Sequence, residues 1–299
     1  MNGEENNQMS TKCFLVAFTA IFTVGAFSQM KTIHRDDLNV TVHIQVTTSE
    51  GPIFRYQYTF QNERTSHQSM VRVVLELGDE WAENGGTLQN VVPPKEKDWG
   101  QFPTVGRTMR WNANYETTGI DVLEKAPLSA VLPGEQLHFE FENHGLPSVG
   151  SYWVAGWAPW YFTARVKDSL LKAGYAENGL IDIDENALRG TTLVPRIIRQ
   201  VPAKSSFLDT LISYKHQALS LGWIDNTGIA NSLDQKLDAA KKKLVGDDNS
   251  AARNILQAFV NEVEAQKDKH LTSEAYALLK FNAEFLIDRL ATGGKEGKK

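Results

Sequence analysis

Asp182, Asp184 and Asn186 stand at alternate positions, the spacing with which oxygen ligands begin to wrap a hard cation such as calcium. The loop is incomplete. Ala187 stands where the sharp turn needs glycine, and Leu193 stands where a bidentate Glu would close the shell. The segment reads as a solvated acidic stretch without a metal. Gly145 to Gly150, GLPSVG, sets Ser148 between glycines in the manner of a nucleophile elbow. The spacing is one residue too long, Pro147 directly precedes the serine, and a strand-like run follows from Ser151 where a helix is required. A tight turn between strands accounts for it. The histidines are His34, His43, His67, His138, His144, His216 and His270, and none forms an H-x-x-x-H or H-E-x-x-H pattern. His43 and His138 alternate with apolar neighbours, which puts them on outward strand faces. His138 and His144 could converge there with a residue of another strand.

The aromatic stretch YWVAGWAPWYF, residues 152–162, offers a different chemistry: flat apolar surface for a ligand or partner. Trp153, Trp157 and Trp160 are the candidate ligand-binding residues. Trp153 and Trp157 share strand parity and are expected to fill the interior together. Trp160 lies beyond Pro159 and is expected at the inter-domain edge. No catalytic residue, metal ligand or cofactor site is assigned. Lys241, Lys242 and Lys243 form a basic turn that Asp234 and Asp238 are placed to offset at helical spacing. Asn39-Val40-Thr41 has the form of a glycosylation sequon and no further support.

Two kinds of element must position these residues. From Asn39 to Phe162 the hydrophobic period is two. Val40, Val42, Ile44 and Val46 alternate with polar residues, followed by IFRYQYTF at 53–60, MVRVVLEL at 70–77, QLHFEFE at 136–142 and SYWVAGW at 151–157. Turn residues separate the runs, and residues 78–106 read as a long polar insertion or loop. This pattern predicts an antiparallel β-sandwich over residues 33–162. From residue 205 the period becomes 3.6, with apolar stripes such as Leu233, Leu237, Ala240 and Ala252, Leu256, Phe259, Val263. Short polar breaks supply cap residues for each following helix. Residues 205–290 are therefore predicted as a small all-α bundle able to fold alone, with α and β segregated along the chain. Residues 163–204 read as a connector with a short helix near 165–173, and 291–299 as a disordered tail.

The N-terminal segment carries an address. Cys13 to Phe27 contains no charge, Lys12 precedes it, and Ala26-Phe27-Ser28 places small residues for a cut after Ser28. Residues 1–28 are expected to be a signal peptide and the protein to be secreted or periplasmic, with no stable membrane span after cleavage. The alternative is an uncleaved N-terminal membrane anchor, though the run falls short of the roughly 20 apolar residues that span a bilayer. Glu4 and Glu5 are atypical of a signal start, and a start at Met9 would leave a short basic leader. Cleavage removes Cys13, the one cysteine. Net charge is −5, with 41% hydrophobic and 22% charged residues. That is a globular composition without the basic footprint of a nucleic-acid binder.

GIANSLDQKLDAAKKKL, followed by AARNILQAFVNEVEAQKDKHLTSEAYALL, resembles the FIMAH-type module, a small C-terminal helical domain of many secreted bacterial proteins. Matching positions include Gly228, Ile229, Ser232, Leu233, Lys236, Leu237, Ala239 and Ala240. They continue through Ala252, Leu256, Phe259, Val263, Ala265, Gln266 and Ala275. The resemblance implies a bundle fold and an extracytoplasmic setting, with no established activity. The β-rich half is similar only in general character to sandwich domains of secreted bacterial proteins. The expectation is a non-enzymatic binding or interaction protein whose partner is an extracellular protein or a glycan. The alternatives are a glycan-binding module using exposed Trp residues and a hydrolase without a recognisable motif.

Overall fold

The computed structural model describes residues 38–49, 52–77, 89–105, 108–114, 126–157, 187–198, 200 and 202–292. The expected signal peptide, the acidic Asp182–Asn186 segment, the short helix expected near 165–173, Trp160 and the end of the tail lie outside them. Two antiparallel sheets precede four helices. The strands are β1 (Val40–Thr48), β2 (Phe54–Asn62), β3 (Met70–Glu76), β4 (Gln89–Val92), β5 (Trp99–Val105), β6 (Thr108–Ala113), β7 (Gln136–Asn143), β8 (Leu146–Gly156) and β9 (Leu188–Arg196). The first sheet runs β1-β2-β7-β4 and the second β5-β6-β3-β8-β9.

Alternation determines what faces inward. Ile44 and Val46 of β1, Tyr56, Tyr58 and Phe60 of β2, and Leu137, Phe139 and Phe141 of β7 are buried in one core. Trp111 of β6 comes from the opposite sheet and stacks on Phe139 with ring centroids 4.0 Å apart. Tyr58 reaches across the interior, its hydroxyl donating to the Leu193 carbonyl of β9 at 2.7 Å. Such a buried phenol needs a partner, and the far sheet supplies it.

Three segments depart from the sequence expectation. The connector 163–204 contains β9, which pairs along β8 and completes the sandwich. Its Gly190 and Pro195 argue locally against a strand. Gly190 nevertheless lies opposite Tyr152, where a Cβ would come 2.4 Å from the ring. Pro195 is tolerated because β9 is an edge strand. The insertion 78–106 contributes β4 and β5. The GLPSVG stretch lies mostly within β8, and the turn occupies only His144 and Gly145 before it.

The helices are α1 (Lys204–Ser220), α2 (Thr227–Val245), α3 (Asn249–Gln266) and α4 (Ser273–Thr292). The predicted caps form. The side chain of Asn226 accepts from the Ile229 N–H, that of Asp248 from Ala251 and that of Thr272 from Ala275. α2 and α3 bury one stripe each. α4 does not conform to the expected one-stripe pattern, because Ala275, Leu278, Phe281, Asn282, Ala283 and Leu286 are buried almost all round it. It is the central helix, packed on α1, α3 and the sandwich at once. Phe281 meets Phe54 of β2 with centroids 5.1 Å apart. Buried Glu274 accepts from the Ile44 N–H of edge strand β1 at 3.2 Å. Buried Asn282 donates to the Pro147 carbonyl of β8 at 2.8 Å.

The apolar core is therefore continuous from sandwich to bundle. A fragment of residues 205–290 would expose Phe281 and leave Glu274 and Asn282 without their strand partners. We expect calorimetry of the whole chain to show one unfolding transition, lowered by about 3–5 kcal/mol in Phe281→Ala. Two resolved transitions, only one of them moved by the substitution, would establish separate folding units.

Candidate functional site

The alternation that buries the aromatic face of the first sheet turns polar residues of β1, β2 and β7 outward. Strand register places His43, Thr59 and His138 opposite one another in one cross-strand row, and Gln45, Gln57 and Glu140 in the next. β4 flanks the second row, with Val92 opposite Glu140. Pro93, Lys95 and Glu96 form one wall above this floor. Lys267 and Asp268 from the turn between α3 and α4, with Ser273 at the start of α4, form the other. The groove so enclosed has a volume of about 630 Å³.

Hydrogen bonds hold the floor. Thr59 Oγ1 and His138 Nδ1 are 2.8 Å apart, with the donor set by the imidazole tautomer. Gln57 Nε2 donates to Glu140 Oε2 at 2.7 Å. His43 and Gln45 are exposed. At the end of the same sheet Glu142 accepts from Arg55 Nη2 at 2.8 Å and from Asn90 Nδ2 at 2.5 Å. Asn90 adopts φ 47° at a register irregularity in β4, and its bond to Glu142 pins that edge strand to β7. Hydrogen bonds from Asn90, Arg55 and Ser49, together with the Arg55 charge, hold the Glu142 carboxyl below the usual range.

The opposite wall is fixed by turn-to-turn contacts. Thr272 N–H donates to the Trp223 carbonyl at 2.9 Å, and Asp225 N–H to the His270 carbonyl at 3.1 Å. The His270 imidazole and the Asp225 carboxylate lie 2.8 Å apart. The α3–α4 turn is thus tied to the α1–α2 turn before it reaches the groove.

The tryptophans occupy other places. Trp153 is 4% exposed and packs with Val74 and Ala187 in a small cluster separate from the main core, with the Arg110 guanidinium 6.0 Å from its ring. Trp157 follows the last residue of β8 and packs, half-buried, against the main core. Its Nε1 is buried without a hydrogen-bond partner among the described residues. Equal parity therefore does not bring the two rings to one surface. The register of β3 on β8 shifts between Met70 and Arg72, and Trp157 lies past that irregularity, with its N–H bonded to Ser69. Neither Trp153 nor Trp157 lines the groove.

Other expectations resolve plainly. Ser148 is buried and its hydroxyl donates to the Val194 carbonyl at 3.0 Å, inside the β8–β9 pair. His138 faces the groove, whereas His144 lies in the β7–β8 turn, outside the groove lining. Among the described residues no group of three or more His, Cys, Asp or Glu is placed to hold a metal ion. Lys241 pairs with Asp209 of α1 at 2.7 Å, while Asp234 serves the buried Lys215 and the exposed His216. Sequence reasoning missed Gln45, Gln57, Thr59 and Glu140. Their signal was polar residues at every second position in three runs, but only the strand order joins them.

The walls of the groove come from different parts of the chain, and comparison with known proteins distinguishes them. The family model of the FIMAH domain matches residues 214–288. The helical region carries a FIMAH domain. No curated protein matches the chain. Among solved structures, a chain of the type VI secretion system TssK-TssF-TssG baseplate subcomplex aligns over 98% of both chains at 12% identity, with a TM-score of 0.17 that supports no common fold. The FIMAH domain thus supplies Lys267, Asp268 and Ser273 to the groove, and the sandwich supplies the floor and the β4 wall.

The Glu142 network makes the fold acid-sensitive. A carboxyl held below its ordinary value adds stability that is fully present above the unfolded range, about pH 4.3, and is lost as pH falls through the folded value. Urea melts from pH 7 to pH 3 should show a shallower acid loss in Glu142→Gln than in the parent. Equal slopes would show that the network carries no linkage.

Proposed function

We propose that the protein is a secreted or periplasmic, non-enzymatic binding protein whose ligand occupies the polar groove between the sandwich and the FIMAH domain. The observation that carries this reading is the groove's construction. Its floor and walls come from two units joined by one continuous core. Such a site is organised before the ligand arrives, which lowers the ordering cost of binding. The charge-free run ahead of Ser28 and the extracytoplasmic setting implied by the FIMAH resemblance support the location. No helix among the described residues is long and apolar enough to cross a membrane.

Thr59 and His138 have the separation of a nucleophile and base, which favours a hydrolase. Their surroundings argue for binding. Both stand mid-strand in an antiparallel ladder, where the backbone N–H groups of β2 and its neighbours bond across strands and are not turned toward the pair as oxyanion donors. N-terminal sequencing of the exported protein should give a chain starting at Gln29. Calorimetry against a panel of oligosaccharides, short peptides and inorganic anions should find a ligand that is recovered chemically unchanged. A membrane-bound species retaining Cys13 would overturn the location. Turnover lost in Thr59→Val would overturn the binding role in favour of a hydrolase.

A further inference from the structure

Resting on that groove reading, we infer that the ligand is an uncharged oligosaccharide, held by side-chain amides, imidazoles and a hydroxyl without an aromatic platform. The floor presents His43, Thr59 and His138 in one row and Gln45, Gln57 and Glu140 in the next. Each Gln amide both donates and accepts, as does the Thr hydroxyl. A neutral imidazole offers one of each, and the carboxylate accepts. Sugar hydroxyls also both donate and accept. A field of mixed partners, spaced about 4.8 Å across strands and about 6.8 Å along them, meets several hydroxyls at once. Val92 and Pro93 on the β4 side offer a small apolar wall to the C–H face of a sugar ring. The volume of about 630 Å³ lies within the range of small-molecule sites, about 300–1,000 Å³.

Charge and topology argue against the competing ligands. Lys95 and Lys267 stand on opposite walls with Glu96 and Asp268 beside them in sequence, and Glu140 is the remaining charge on the floor. Among the described residues of the lining no convergent cationic cluster awaits a phosphate or an acidic polymer. An extended peptide binds a sheet best by adding a strand to a free edge. The Ile44 N–H on the outer side of β1 is already taken by Glu274. β4, the other edge strand, is irregular between Gln89 and Val92, with Asn90 at positive φ. Face-on recognition by side chains remains, and it suits a sugar.

The test titrates the full chain by calorimetry with neutral gluco-, xylo-, manno- and N-acetylglucosamine oligosaccharides, with oligogalacturonate, and with a mixed peptide library. A neutral oligosaccharide should bind. Gln57→Ala and Gln45→Ala should each weaken it about tenfold, the effect of one lost hydrogen bond. Raising NaCl to about 1 M should change affinity less than twofold, since no ion pair is screened. Gln45 is exposed, so its variant keeps the parent melt and reports binding alone. Binding only of oligogalacturonate or of peptides, still sensitive to both Gln variants, overturns the sugar assignment and leaves the groove standing. A neutral sugar bound with equal affinity by parent and variants overturns the groove itself. Failure of every probe to bind overturns both.

Discussion

Two backbone groups on the flank of the sandwich, the Ile44 N–H and the Pro147 carbonyl, are answered by buried polar side chains of a single helix. An unpaired buried backbone group costs about as much as a lost hydrogen bond, so these partners are obligatory. They also fix position. Glu274 and Asn282 lie eight residues apart on α4, so two points on one rigid rod are pinned to two different sheets. Phe281 beside Phe54 fills the space between them. The orientation of the bundle follows, and with it the reach of the α3–α4 turn over the outer face of the first sheet. The edge of β1, open to pairing with another chain in an isolated sandwich, is covered by the same contact.

How much of this was legible in the sequence depends on where each element found its reason to form. β1, β2, β3 and β7 carry their period within their own residues, and so do α2 and α3. β9 does not. LRGTTLVPR becomes a strand because Tyr152 needs the gap that Gly190 leaves, and because an edge position forgives Pro195. β4 is four residues long, pairs irregularly with β7, and is tied to it as well by the bond from Asn90 to Glu142. α4 reads as one more amphipathic helix until the sandwich is present. Glu274 and Asn282 then change from surface-type residues into interior ones. In each case the missing information was a tertiary partner.

The site was half legible for the same reason. Outward placement of His43 and His138 follows from alternation, but their separation by one strand, with Thr59 between them, depends on an order that local pattern does not encode. The tryptophans differ on a finer point. Parity predicts that Trp153 and Trp157 fill the interior together, yet past an irregularity in the pairing of β3 on β8 the two rings part, Trp153 buried in a small cluster of its own and Trp157 half-buried against the main core. Large aromatics attract attention in a sequence because their burial contributes so much to stability, and that same contribution draws them away from the surface.

A groove of this composition makes a demand that an apolar pocket does not. Its amides and imidazoles are well hydrated when empty, so a ligand gains only the difference between protein and water hydrogen bonds, a small amount per contact. Useful affinity then requires many contacts made together, with little left to order on binding. The first sheet meets the first requirement, since a regular antiparallel floor repeats polar side chains at fixed spacing. The second falls to the walls. One is anchored through Asn90 to Glu142, the other through the tie between the α1–α2 and α3–α4 turns. Both anchors lie outside the groove lining, so the walls are held without drawing on the floor, where Thr59 pairs with His138 and Gln57 with Glu140 while His43 and Gln45 stay exposed.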